Sequence, residues 1–335
     1  MTAGSGISVV IICRDEEAYI DDCLRSVAAA AARSSPTEVI VVDGGSTDRT
    51  VELASAWADR PDCPMTVDVL RCEKSGYSVQ RNAGVARARH PWVAFISADV
   101  RVGSEWLTGL RTMLSEPVSV VLGRFDLVAP QDRTPWLACV GASIYRSRTT
   151  DSIVERCSTV HLVARREMLL GNPFDEQLGA CEDKDLAFRL KNEPAWGGAA
   201  YSPDRPVHIA RESMGRFLVK LGREAHALGK LRRRYGAAFP DCFGWRHTTL
   251  GTLVGVLFAA TAVVRGISGS TRSSIVTAVL AVVAFGSAGR RHVEHGSACE
   301  IPFGMRTALH GAATITLSVG WLAGWLTGDV ASARE

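Results

Sequence analysis

Three short apolar runs in the first third of the chain each end on a charged residue or loop. Ile7–Cys13 leads into Arg-Asp-Glu-Glu, Val39–Val42 stops on Asp43, and the run from Pro91 reaches Asp99. Each run is rich in β-branched residues and apolar at successive positions, so it reads as a strand buried on both faces, as in a parallel sheet covered by helices. After the first run, Ile20, Leu24 and Val27 recur at helical spacing. After the second, Gly44 and Gly45 are expected to turn the chain with positive φ, and Ser46 or Thr47 to cap the next helix. In KSGYSVQRNAGVARAR, residues 74–89, Val79, Ala83 and Ala86 form a third helix's packing face. Further on, FDEQLGACEDKDLAFRL, residues 174–190, sets Glu182, Asp183 and Asp185 at the start of a helix. Alternating strands and helices predict an α/β fold with a mostly parallel sheet, and acids at strand ends occupy the edge where such sheets bind ligands.

Taken in order, the first loop, the Asp43-Gly-Gly-Ser turn, the Ser97-Ala-Asp99 strand end and the Glu182-Asp183-x-Asp185 helix start resemble the nucleotide-sugar glycosyltransferases of family two. The resemblance covers roughly residues 7–235 and implies the Rossmann-like GT-A fold. It also implies roles for particular residues. Glu16 and Asp43 match positions that accept hydrogen bonds from the nucleobase. Asp99 matches the acid that contacts a divalent metal, Mg or Mn. The run 74–89 resembles the family's Gly-x-x-x-x-x-Asn-x-Gly helix, which implies that Arg81 and Asn82 lie near the nucleotide, where Arg81 can meet phosphate and Asn82 can hold the loop bearing Asp99. Asp183 matches the general base that deprotonates the acceptor, Glu182 is its partner in the motif, and Asp185 orients backbone groups or the acceptor. His208, in PVHIAR beyond the acid motif, is a candidate second metal ligand.

The chain also departs from that pattern. Position 12 is Ile and position 14 is Arg, where the family often has Pro and Tyr, so a stacked tyrosine is not expected there. Gly44 stands where a second aspartate is common. Ser97 stands for the first Asp of Asp-x-Asp and leaves at most a hydroxyl contact to the ribose. A hard cation needs only one or two carboxylates when diphosphate oxygens and water fill the rest, so Asp99 alone is compatible with metal binding.

Composition changes the picture mainly beyond Pro240. Thr248–Val264, Ile275–Ala288 and Thr307–Thr327 are apolar and rich in small residues, and the last is long enough for a bilayer core of ~30 Å. Arginines at 246, 290, 291 and 306 flank them, which predicts about three spans with the catalytic part on the cytoplasmic side of a cell membrane. Between Arg205 and Arg246 lie ten Arg or Lys against three Asp or Glu. Met214, Phe217, Leu218, Leu221, Ala225, Leu228 and Tyr235 share one helical face there, the pattern of a helix lying on an anionic leaflet. The expected organisation is a GT-A domain over 1–205, a basic amphipathic region over 206–247 and a membrane region over 248–328. No secretory signal is expected in the polar stretch Met1–Gly6.

A net charge of +3 gives no reason to expect nucleic acid as a partner, and the nine cysteines lack zinc spacing and read as reduced. The loop CRDEEAY lacks the Gly-rich basic phosphate loop of a nucleotidyltransferase. The expected activity is membrane-anchored, inverting sugar transfer from a nucleoside-diphosphate sugar to a lipid-linked saccharide or surface glycan. A polyprenyl-phosphate glycosyltransferase and a catalytically silent nucleotide-sugar-binding scaffold are the alternatives.

Overall fold

The computed structural model describes residues 6–242 apart from 35–36, 75, 116, 129–151, 210–212 and 241. The three apolar segments after Thr248, and much of the 117–160 stretch, lie outside the described residues. The contacts divide the chain into two units, one of residues 1–128 with 150–209, the other of residues 129–149 with 210–335.

The first unit begins with β1 (Ile7–Cys13), α1 (Ile20–Ala31), β2 (Thr37–Asp43), α2 (Thr50–Ala58), β3 (Thr66–Arg71), α3 (Tyr77–Arg87) and β4 (Trp92–Ser97). It continues with β5 (Val100–Arg101), α4 (Trp106–Met113), β6 (Val120–Gly123), β7 (Asp126–Val128) and a single turn, α5 (Ile153–Arg156). Then come β8 (Leu162–Arg165), α6 (Arg166–Gly171), α7 (Glu182–Lys191), β9 (Ala199–Ser202) and β10 (Val207–Ile209). The main sheet has seven strands in the order β3-β2-β1-β4-β8-β6-β9. β3, β2, β1 and β4 run parallel, β8 is antiparallel to both β4 and β6, and β9 pairs parallel with β6. The sheet is therefore mixed but mostly parallel. Every residue of β1 and β2 is buried, the reason their sequences carry no alternation. Ile20, Cys23, Leu24 and Val27 of α1 pack into the same core.

Strand order reverses at β1, which lies between β2 and β4, and this is where open α/β sheets leave a crevice outside the strand ends. The register aligns those ends: Cys13 faces Asp43, Asp43 faces Arg71, and Ile12 faces Ser97. A second, three-stranded sheet, β5-β10-β7, carries β10 antiparallel to β5 and parallel to β7.

The described part of the second unit is one helix, α8 (Met214–Tyr235), closed by Gly236 at φ 62° and a 3-10 turn. The guanidinium of Arg232 donates to the Phe239 carbonyl, and the rings of Tyr235 and Phe239 stack. Phe217, Leu221, Ala225, Leu228 and Leu231 are buried, whereas Val219 is exposed. Among the described residues no helix is long and apolar enough to cross a membrane.

Candidate active site

Two loops at the reversal point are tied to each other by reciprocal hydrogen bonds. The Asp15 N–H donates to Ser46 Oγ at 2.9 Å, and the Thr47 N–H donates back to Asp15 Oδ1 at 2.8 Å. The Glu17 N–H reaches Asp48 Oδ2 at 3.1 Å, and the Arg49 N–H reaches Glu17 Oε2 at 3.2 Å. Asp15 takes φ 53°, a left-handed conformation that aspartate tolerates better than most residues. Asp15 and Asp48 were not among the expected site residues, because their contacts cross about thirty residues of sequence.

The turn after β2 differs in detail from its sequence reading. Gly45 has φ 90°, but Gly44 lies outside the positive-φ region. Gly44 is needed for space. A Cβ there would lie 2.8 Å from Gln80 Nε2 and 2.9 Å from its Cδ. Gln80, buried on α3, donates from Nε2 to the carbonyls of Cys13 and Val42, both at 2.9 Å, and so holds the ends of β1 and β2 together. Neither Ser46 nor Thr47 caps α2. The N-cap is Arg49, which makes no side-chain cap bond, and the N–H of Thr50, the first residue of α2, goes instead to Asp48 Oδ1 at 3.0 Å.

Asp43 is buried and accepts from the N–H groups of Gly45 and Ser46 and from the Ser46 hydroxyl, an Asx turn that shapes the loop. Glu16 is also buried, with its N–H on Thr50 Oγ1 at 2.7 Å and its carbonyl starting α1. Two buried thiols lie where the acids come together around β1. Burial pushes the Cys13 thiol up, and Asp43, Glu16 and Asp48 push it further. Burial raises the Cys23 thiol likewise, with Asp99, Cys13 and Glu16 adding to it. Glu16, Asp43 and Asp99 thus gather at one end of the sheet.

Asp99 sits in the turn between β4 and β5. The pairing of β5 with β10 sets Val100 opposite His208, and the Ile209 N–H bonds the Asp99 carbonyl at 2.9 Å. His208 Nε2 consequently lies 3.2 Å from Asp99 Oδ2, with both side chains mostly buried. Two ligands at right angles on one ion, each about 2.1 Å from it, would stand about 3 Å apart, so this donor pair fits adjacent positions on a divalent cation. Among the described residues there is no cluster of three or more His, Cys, Asp or Glu that could hold a metal. The Phe125 ring meets the imidazole edge-on, 5.7 Å away. The turn carrying Phe125 is itself held by His161, whose Nδ1 contacts the Arg124 carbonyl at 3.2 Å. His161 Nε2 accepts from the Trp106 indole at 3.1 Å. The carbonyl and indole together require the neutral tautomer protonated on Nδ1, and burial lowers the pKa in the same sense. No motif in the sequence marked His161.

The three acids opening α7 have separate fates. Glu182 is buried and ion-paired with Arg81 of α3. Asp185 is buried and ion-paired with Arg189 one turn on, at 2.8 Å. Asp183 makes no ion pair among the described residues. Its Oδ1 accepts only the Lys184 N–H, at 2.8 Å. Desolvation raises the Asp183 carboxyl, Lys184 and Arg81 oppose that, and Glu182 reinforces it. Lys184 is turned away, its ammonium on the carbonyls of Glu155 and Cys157. Cys181, just before the helix, takes φ 57° and so sets the angle at which α7 starts.

Arg81 and Asn82 are positioned differently from expectation. Arg81 is buried against Glu182, with the ring centroids of Tyr77 and Phe174 at 5.7 and 5.6 Å from its guanidinium carbon. Asn82 does not hold the Asp99 loop. Its amide exchanges hydrogen bonds with both backbone groups of Phe174, at 2.8 and 2.9 Å, and reaches Glu176 at 3.0 Å.

The chain has relatives among known proteins. Residues 8–169 match glycosyl transferase family 2, a match that ends before α7. Over 170 residues, half of this chain, it is 32% identical to an uncharacterized glycosyltransferase of Mycobacterium tuberculosis and covers 71% of that protein. Over 181 residues, 51% of this chain, it is 29% identical to glycosyltransferase AglE of Haloferax volcanii and covers 57% of that protein's length. A solved mannosyltransferase from Pyrobaculum calidifontis, in complex with GDP-Man and Mn2+, aligns with 94% of this chain and 86% of its own at TM-score 0.56. At 15% identity, that likeness is one of fold, the mixed and mostly parallel α/β arrangement of GT-A proteins. The chain belongs to glycosyl transferase family 2.

Proposed function

We propose that this protein transfers a sugar, with inversion, from a nucleoside-diphosphate sugar to a hydroxyl of a lipid-linked saccharide or surface glycan. The observation that carries the reading is the sorting of acids on α7, in which Glu182 and Asp185 are consumed by buried ion pairs and Asp183 is not. In the reaction the acceptor oxygen bonds to the anomeric carbon as the bond from that carbon to the diphosphate oxygen breaks. The acceptor proton passes to the Asp183 carboxylate. An ordinary aspartate, with a pKa of about 3.9, is a weak base, and partial burial beside Glu182 brings it nearer a working pH. Glu16 and Asp43 line the end that receives the nucleobase. Asp99 and His208 would hold a divalent cation, whose chemistry there is to neutralise charge growing on the diphosphate. The Mn2+ and GDP-Man bound by the Pyrobaculum enzyme are consistent with that class of ligand.

The membrane location is part of the same proposal and rests on the apolar segments after Thr248 and their flanking arginines. It orients the active site to the cytoplasmic face, where sugar nucleotides would be met. The test is a panel of UDP- and GDP-sugars with Mn2+, assayed for hydrolysis and for transfer to lipid extracts, using the wild type and Asp183→Asn. Turnover by the wild type that is lost in Asp183→Asn supports the reading. Binding without turnover would instead favour a nucleotide-sugar-binding scaffold. Equal transfer by both proteins to a lipid phosphate would favour a phosphate acceptor needing no base.

A further inference from the structure

α3 reaches two parts of the site at once. On one side Gln80 clamps the ends of β1 and β2. On the other, three residues grip the segment that delivers α7. The Ser78 hydroxyl donates to the Asp175 carbonyl at 2.9 Å, Asn82 takes both backbone groups of Phe174, and Arg81 pairs with Glu182. The Arg81–Glu182 pair is buried and spans 101 residues of sequence, and Glu182 is joined through one peptide bond to Asp183. A buried arginine ion-paired to a carboxylate and close to two aromatic rings is poorly presented to a phosphate, but well suited to fixing the start of a helix.

We infer that Arg81 and Glu182 are positioning residues for Asp183: their buried ion pair fixes the first turn of α7 against α3, and so holds the base in register with the loops at the ends of β1 and β2. The inference rests on the reading of Asp183 as the base. It carries an electrostatic consequence that packing alone would not. The charged and titratable groups that act electrostatically on Asp183 are Arg81 from α3, Glu182 beside it on α7, and Lys184, whose ammonium lies on the carbonyls of Glu155 and Cys157; the Cys157 thiol after α5 is close enough to feel Asp183 in turn. Removing either member of the pair leaves the other's charge beside Asp183, and the two removals push its proton affinity in opposite directions.

The experiment is a pH–rate profile of the full chain, using whichever sugar nucleotide of the panel turns over, beside calorimetry with UDP and GDP plus Mn2+. Glu182→Gln should move the acid limb of kcat to lower pH by about half a unit or more, and Arg81→Met should move it to higher pH by a similar amount. Arg81→Lys, which keeps the charge but not the reach, should leave the limb near its wild-type position while lowering kcat. Nucleotide affinity should change by less than about threefold in all three, because none touches the donor in this assignment. Unmoved limbs in Glu182→Gln and Arg81→Met would overturn the inference. So would a tenfold or greater loss of nucleotide affinity in Arg81→Met, which would make Arg81 a phosphate ligand. Should Arg81→Met fail to fold, Glu182→Gln and Arg81→Lys decide the matter. Wild-type turnover by Asp183→Asn would instead remove the base reading itself, an outcome separate from either of these.

Discussion

The contact between Gly44 and Gln80 permits a quantitative test of how the nucleotide end of the sheet is built. A methyl group at position 44 would lie 2.8 Å from Gln80 Nε2, inside van der Waals contact, so in Gly44→Ala the amide must move. Moving it breaks two buried hydrogen bonds, to Cys13 and Val42, each worth about 1 kcal/mol net. Gly44→Ala should therefore cost about 2 kcal/mol, and Gln80→Ala about 2–4 kcal/mol once the lost packing is added. With Gln80 shortened the obstruction is gone. Because Gly44 does not sit at positive φ, the alanine should then stabilise by about 0.4–1 kcal/mol through a less flexible unfolded chain. The double variant is thus expected to be about 2–3 kcal/mol more stable than the sum of the singles would give, a coupling well above the scatter of about 0.5 kcal/mol for independent sites. Urea titration followed by tryptophan emission suits the measurement, because Trp57, Trp92 and Trp106 are all buried in the same unit. In thermal melts each kcal/mol should appear as about 2–4 °C. Additive costs, or a Gly44→Ala protein as stable as wild type, would refute the idea that Gln80 dictates the glycine.

Other expectations concern the chemistry. Asp183→Asn should lower kcat at least about a hundredfold with nucleotide affinity nearly unchanged, whereas Asp185→Asn should mainly lower the melting temperature by weakening its buried pair with Arg189. A larger rate loss at 185 than at 183 would move the base along the helix. Asp99→Ala should abolish the Mn2+-dependent gain in UDP or GDP affinity while leaving the metal-free melting temperature almost unchanged, and His208→Gln should weaken that gain without abolishing it. Calorimetry with and without Mn2+ checks both, and unaltered metal dependence in Asp99→Ala removes the ligand assignment. Glu38 gives a pH test away from the site. Burial tends to raise its carboxyl, but hydrogen bonds from Ser8 and Arg89 overcome this and hold it below the ordinary value. Its contribution is therefore present above pH of about 4.3 and lost as pH falls through the lower folded value. Glu38→Gln should be less stable than wild type at pH 7, with the gap closing toward pH 3. A gap that stays constant with pH would contradict the sign.

What the sequence could disclose was whatever local chemistry determines. Strands β1, β2 and β4 announce themselves because burial on both faces forces continuous apolar runs, and Asp43, Asp99 and Asp183 stand out because acids end those runs or open a helix. Tertiary partners are different, since no local rule selects them. That Arg81 faces Glu182 depends on α3 meeting the start of α7, 101 residues further along the chain. That His208 meets Asp99 depends on the two-residue strand β5 pairing with β10. Asp15, Gln80 and His161 escaped notice for the same reason: each is an ordinary polar residue until the strands bring a distant carbonyl or N–H to it.

The two departures from the family's acid pattern acquire a common physical sense from these contacts. Glu16, Asp43 and Asp99 already converge on the end of β1, where Asp43 and Glu16 bear on the Cys13 thiol and Asp99 and Glu16 on the Cys23 thiol. A further carboxylate at position 44 would meet the Gln80 amide that ties β1 to β2, and one at 97 would add charge beside Asp99. Gly44 preserves that tie, and Ser97 keeps the strand end neutral. His208 brings an imidazole, not a further carboxylate, to Asp99 from another strand. Fewer fixed negative charges mean less repulsion to be offset before donor arrives. The same arrangement would leave a cation held by fewer protein ligands and more by the diphosphate. Metal and nucleotide should therefore bind with strong mutual dependence: Mn2+ weakly alone, and UDP or GDP weakly without it.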